Sequence, residues 1–291
     1  MSRVIALLAG IGSVACGSSP ATEAAQAGPL AVAVSILPQK YVVDRIGGPA
    51  VAVSVLIGPG QSPDTYDPTP RQMASLAGTQ VYFTMGLEFE HAWLSRMHAA
   101  YPGMSLVDMR QGIELLPLEE DSGPRHEDRQ DPHVWMSPRL VAVMAGTIRD
   151  ALIEALPDRR ELFDLNYRRL VRDLNTVDDE VRALLHDLPT RTFMTVHPAW
   201  AYFAEEYGLR QVPIASHGKE PGAQTLARLI HRARVEHIRV VVVQAQYSQD
   251  MAKTVAQATG ARVLMLDPLA EDYVNNVRHV AERLAEALRR S

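Results

Sequence analysis

Cysteine is almost absent. The one thiol among 291 residues is Cys16, so no internal disulfide can form. Positive charge is not in excess either. Lys and Arg total 29 against 34 Asp and Glu, a formal charge of -5, and this argues against a nucleic-acid partner, which needs a basic patch. Past the N-terminus no apolar run reaches about 18 residues, so no spanning helix is expected there. Neither an H-E-x-x-H helix nor a nucleophile elbow is present, which removes two common hydrolase signatures. No sequence repeat is evident. What remains is 47% hydrophobic and 22% charged, an ordinary globular composition. The length suits one large domain or two lobes, each with its own core.

The first residues differ from the rest. "MSRVIALLAGIGSVAC" has one Arg, an apolar run from Val4 to Ala15 and then small residues. Residues 1–16 therefore read as a secretory signal peptide. "SVAC" resembles a bacterial lipobox, with Ala15 in place and Ser13 where Leu is usual, so Cys16 is expected to become a lipidated N-terminus; simple cleavage nearby is the alternative. Residues 17–29, "GSSPATEAAQAGP", read as a flexible tether. The expected location is the periplasm or the outer face of the cytoplasmic membrane.

The mature chain alternates strand and helix. "LAVAVSIL" is apolar and β-branched, and a helix-like stretch ends at Gly47-Gly48. "AVAVSVLIGPG", "VYFT" and "SLVDM" are further strands. Alternation of this kind predicts a parallel sheet. Apolar spacing at Leu140, Val143, Met144, Ile148, Leu152 and Leu156 predicts a helix. Asp158 to Pro189 is a long amphipathic run without internal Gly or Pro; at about 1.5 Å per residue it would exceed 40 Å, enough to brace two lobes. After Pro189 the alternation resumes, with strands at "RTFMTV", "IRVVVVQAQ" and "ARVLMLDPL". The plan is α/β: an N-terminal lobe over 30–157, a linking helix over 158–188 and a C-terminal lobe over 189–291.

Four side chains stand where such a plan puts ligands. Asp64, His197 and Asp267 each follow an apolar strand, and His133 lies in a Pro-rich turn before a helix. In open α/β sheets ligands sit beyond the carboxyl ends of strands. Two imidazoles and two carboxylates suit a divalent transition metal. Taken singly, each has a plainer reading: a surface histidine, or an aspartate that forms a turn or caps a helix.

Several longer motifs occur in order. They are "GQSPDTYDPTP" from Gly60, "DPHVWMSP" from Asp131, "HPAWAYFAEEYGL" from His197 and "LDPL" from Leu266. In these the chain resembles the cluster A-I metal solute-binding proteins of ABC importers for zinc and manganese, over about residues 30 to 288. The resemblance implies two (βα) lobes with parallel sheets, one rigid linking helix and a metal buried in the interlobe cleft. It implies His133, His197 and Asp267 as ligands. Where the family motif has its first His, this sequence has Asp64, and where it has Glu, Asp67. Asp64 is thus either a carboxylate ligand or a lost one, with Asp67 as a lesser substitute. His217, in "ASHGKEPG", is a candidate extra ligand or a group that holds one. The His-rich loop of zinc members is absent; "PLEEDSGPRHEDRQ" has His126 alone.

The expected cargo is one divalent transition metal, zinc or manganese, with iron also compatible. The carboxylate at position 64 makes the site harder and tips the balance slightly away from strict zinc selectivity. The expected partners are a membrane permease and its ATPase, and the chain is expected to be a monomer and not an enzyme, since four protein ligands close a metal site. A metal-dependent hydrolase and a metal-binding surface adhesin are the competing readings.

Overall fold

The computed structural model describes residues 28–118, 130–215 and 221–290. Two four-stranded parallel sheets carry the chain. The first contains β1 (Leu30–Val34), β2 (Val51–Val55), β3 (Val81–Thr84) and β4 (Ser105–Asp108), in the order β2-β1-β3-β4. The second contains β5 (Thr192–Thr195), β6 (Arg210–Pro213), β7 (Val240–Val243) and β8 (Arg262–Met265), in the order β6-β5-β7-β8. The two orders are the same, so the halves are topological copies although their sequences show no repeat. Pairing starts at Leu30 opposite Val51 in the first sheet and at Thr192 opposite Arg210 in the second.

Burial follows position in the sheet. All residues of inner strands β3 and β7 are buried, because helices cover both faces of a parallel sheet. Edge strand β2 alternates in burial along much of its length, and edge strand β8 buries only Leu264.

Nine helices join the described strands: α1 (Leu37–Gly47), α2 (Pro70–Ser75), α3 (Glu88–Ala100), α4 (Pro138–Ala155), α5 (Arg160–Leu185), α6 (Ala201–Glu206), α7 (Ala223–Val235), α8 (Asp250–Thr259) and α9 (Tyr273–Arg289). Their ends follow local chemistry. Thr69 and Gln72 cap α2 reciprocally, each side chain accepting from the other's amide, at 3.3 and 3.0 Å. Ser137 accepts from Leu140 N at the start of α4. Gly260 stops α8 with φ 72°, a left-handed conformation that suits glycine.

Helix α5 is the long element between the sheets, 26 residues or about 39 Å at 1.5 Å per residue. It is shorter than the 158–188 expected from its pattern. A single 3-10 turn occupies Pro157–Arg159, and at the other end the Arg191 guanidinium takes the carbonyls of Leu185 and His186, supplying partners that the last turn lacks. α5 packs against α1 and α4 of the first half and α9 of the second. Ion pairs Arg45–Asp173 and Arg278–Glu180, two helical turns apart on α5, tie it to α1 and to α9. One apolar core runs continuously from β1 through Phe163, Leu170 and Val177 of α5 to Leu284 and Leu288 of α9. A smaller cluster covers the far face of the second sheet. Among the described residues no helix is long and apolar enough to cross a membrane.

Candidate metal site

In each sheet the chain adds strands to one side of the first strand and then to the other. The crevice this creates at the carboxyl ends, between β1 and β3 and between β5 and β7, is where open α/β sheets bind ligands. The loop after β2 carries Asp64, the loop after β5 His197, the loop after β7 Gln244 to Tyr247, and the turn after β8 Asp267. His133 stands before a 3-10 turn, Val134–Met136, that leads into α4.

The two histidines meet. His133 Nε2 and His197 Nε2 are 3.1 Å apart, and the rings cross at 71°. Both residues are buried, at 7% and 8% exposure. On its other side His133 Nδ1 lies 2.6 Å from Asp131 Oδ1, which also accepts from the His133 amide at 2.8 Å. A carboxylate at Nδ1 holds the proton there and turns the Nε2 lone pair outward. His197 Nδ1 lies 3.2 Å from Asp64 Oδ2. Two nitrogens presented to each other in this way form a donor pair for a soft or borderline cation.

The carboxylates are held by neutral donors. Tyr247 donates to Asp64 Oδ2 at 2.7 Å. Burial, with the charge of Asp64 beside it, pushes the Tyr247 phenol well up, so it keeps its proton. Asp267 Oδ1 accepts from Gln246 Nε2 at 3.1 Å and from Leu269 N at 2.9 Å. Trp135 anchors the turn that follows, donating to the carbonyl of Pro268 at 2.9 Å.

Asp64, His133, His197, Trp135, Gln244 and Tyr247 all face one small cavity, with about 10 Å³ of open volume. That is the space of a single water or ion. Asp267 faces an adjoining cavity of about 200 Å³, which shares Gln246 and Leu269 with the first. The structure therefore brings His133 and His197 together at their Nε2 atoms, sets Asp64 against Nδ1 of His197, and places Asp267 one side chain away. Among the described residues no three His, Cys, Asp or Glu side chains stand ready to enclose a metal; Asp267 is turned to Gln246 and Leu269 instead.

The remaining sequence candidates separate. Asp67 accepts from Trp93 Nε1 at 2.9 Å on the exposed side of its loop and does not line the cavity. Of the aromatics that flank the ligands in sequence, only Trp135 walls the cavity. Tyr66 donates to Leu56 O and packs edge-on to Phe89, and Trp200 packs on Phe203. His91, His98, His186, His231, His237 and His279 are exposed. Cys16, His126 and His217 lie outside the described residues. Sequence reasoning overlooked Gln244, Gln246 and Tyr247. The only local signal was their place just beyond an apolar strand.

Comparisons with known proteins agree with this architecture. Residues 32–287 match the family described as zinc-uptake complex component A, periplasmic. The zinc-binding lipoprotein AdcA of Streptococcus pneumoniae R6 is 28% identical over 282 residues, covering 92% of this chain and 55% of AdcA; the chain thus spans about half the length of that relative. The high-affinity zinc uptake system protein ZnuA of Bacillus subtilis is 29% identical over 276 residues, 88% of this chain and 84% of that protein. A crystal structure of ZnuA superimposes with TM-score 0.84 at 39% identity, covering 89% of this chain and 99% of that one. The chain belongs to the family of zinc-uptake component A proteins.

Proposed function

We propose that this chain is the extracytoplasmic substrate-binding component of a metal ABC importer. It captures one divalent transition ion, zinc in the first place with manganese as competitor, and hands it to a membrane permease driven by an ATPase. The observation that carries the reading is the pair of buried Nε2 atoms 3.1 Å apart at an ion-sized cavity. His133 and His197 supply the nitrogens. Asp64 supplies an oxygen from the cavity wall, and Asp267 completes the set by turning from Gln246. The two carboxylates neutralise a divalent charge and the two imidazoles complete a four-ligand set.

Four protein ligands would close the site and leave no position for a reactive water, which favours carriage over hydrolysis. A lipid anchor at Cys16 would keep the carrier beside its permease; AdcA and the manganese-binding lipoprotein MntA are relatives whose names describe lipoproteins. The experiment is a competition. Protein stripped of metal is offered equimolar zinc, manganese and iron(II) without oxygen, and bound metal is counted by mass spectrometry. About one zinc per chain, retained against excess manganese, is expected. No stoichiometric metal would overturn the reading. The same preparation assayed on ester, phosphate and peptide substrates should show no turnover.

A further inference from the structure

Two loops from opposite halves meet at one phenol. Asp64 N donates to Ser62 Oγ at 3.3 Å, Ser62 Oγ lies 3.1 Å from the Tyr247 oxygen, and Tyr247 donates to Asp64 Oδ2 at 2.7 Å. The phenol has one hydrogen and gives it to the carboxylate, so Ser62 gives its own to the phenol oxygen. The three bonds close a ring: amide, serine, phenol, carboxylate. It joins residues 183 positions apart. The same Tyr247 ring lies flat on His197, with centroids 4.8 Å apart and planes 13° apart. One side chain thus fixes both the plane of a candidate ligand and one oxygen of another. Asp64 Oδ1 accepts no hydrogen bond among the described residues.

We propose that Tyr247 is a positioning residue for Asp64 and, through it, a determinant of metal choice. With Oδ2 held by the phenol, Asp64 has a single oxygen, Oδ1, to give to a cation. A carboxylate limited to one oxygen keeps the coordination number low. That favours zinc, which takes four ligands in tetrahedral array, over manganese, which suits an oxygen-rich octahedral shell. The inference rests on the metal-binding reading above, with Asp64 as a ligand.

Tyr247→Phe tests it, because it leaves a ring to stack on His197 and removes only the hydroxyl. Zinc and manganese affinities of the full chain and the variant are measured by competition with a chelating dye, and the visible spectrum is recorded with cobalt(II) bound. The expected result is a rise of about tenfold or more in manganese affinity relative to zinc, with the strong cobalt bands of a four-coordinate ion giving way to the weak bands of a higher-coordinate one. A purely structural role would weaken both metals together and leave their ratio unchanged, and that result overturns the inference. If the variant does not fold, the cobalt(II) spectrum of the unaltered protein decides: strong four-coordinate bands support the inference, and weak six-coordinate bands overturn it. Binding of zinc with an unchanged ratio in the variant sinks this inference alone, whereas failure of the unaltered protein to bind zinc, manganese or cobalt sinks the functional reading with it.

Discussion

Trp135 and Pro268 are tied across 133 positions of chain by an indole N–H that donates to a carbonyl at 2.9 Å. The bond joins the turn that presents His133 to the turn that presents Asp267. Trp135 is 1% exposed. Trp135→Phe should leave the Pro268 carbonyl without this donor and cost about 1–3 kcal/mol of stability. It should also loosen the relation between the two candidate ligands and lower zinc affinity by about tenfold. Urea unfolding and calorimetric titration measure the two effects; unchanged zinc affinity in a destabilised variant would show that the turns are positioned independently.

Asp131 does for His133 what no neutral residue can do as well. It sits almost wholly buried and faces both the ring and the amide of that histidine. Asp131→Asn keeps the shape and loses the charge that holds the Nδ1 proton. Zinc affinity should fall by about 10- to 100-fold, with the circular dichroism spectrum unchanged. Equal affinity in calorimetry would mean that the ring is oriented by packing against Trp135 alone.

Asp64 and Asp67 make a contrast within one loop. The first faces the histidines and the second faces Trp93. Asp64→Ala should weaken zinc binding by a large factor, about 100-fold or more, on the scale of a lost support to a metal site. Asp67→Ala should change it little. The reverse ranking in titration calorimetry would exchange their roles.

Glu90 supplies a pH signature unrelated to the metal. Its carboxylate is buried at the start of α3 and accepts from the amides of Met85, Gly86 and Leu87 and from Ser35 Oγ. Burial pushes its pKa up from 4.5, against the pull of those hydrogen bonds. A raised folded value means that the native state holds a proton which the unfolded state has released. Stability contributed by that proton is therefore complete below about 4.5 and is lost as pH rises through the folded value. Glu90→Gln should abolish this component. The stability of the unaltered protein minus that of the variant should fall as pH climbs through that window, measured by urea unfolding at several pH values. A difference that rises with pH would show that the hydrogen bonds outweigh burial.

Much of this is readable without coordinates, and the exceptions have physical causes. The inner strands and α4, α5 and α9 announce themselves because their apolar periodicity is strong. β6 does not. It is a four-residue edge strand that ends in Pro213, and edges are where proline is tolerated and pattern is weak. α3 is hidden for a similar reason: it buries only Phe89, Glu90 and Met97 of its 13 residues. That His133, His197 and Asp267 bind metal is proposed; their places at element ends were legible because multi-residue motifs surround them. The direction in which Asp67 points was not, since Trp93 settles it from another element. Nor was the part of Tyr247, whose partners Ser62 and Asp64 lie in the other half of the chain.

The continuous core through α5 has a mechanical consequence. A clamshell motion would draw α1 and α9, which lie side by side along α5, away from each other and wet the apolar surface between them. Exposing on the order of 200 Å² of it would cost about 5 kcal/mol at 25 cal/mol per Å². The halves are therefore expected to move as a single frame, and on the function proposed above exchange of the metal would fall to the loops that carry Asp64, Tyr247 and Asp267. Loaded and stripped protein should scatter X-rays almost identically, so that on the proposed reading a permease would have to recognise the loaded state by the set of its rim and not by its outline.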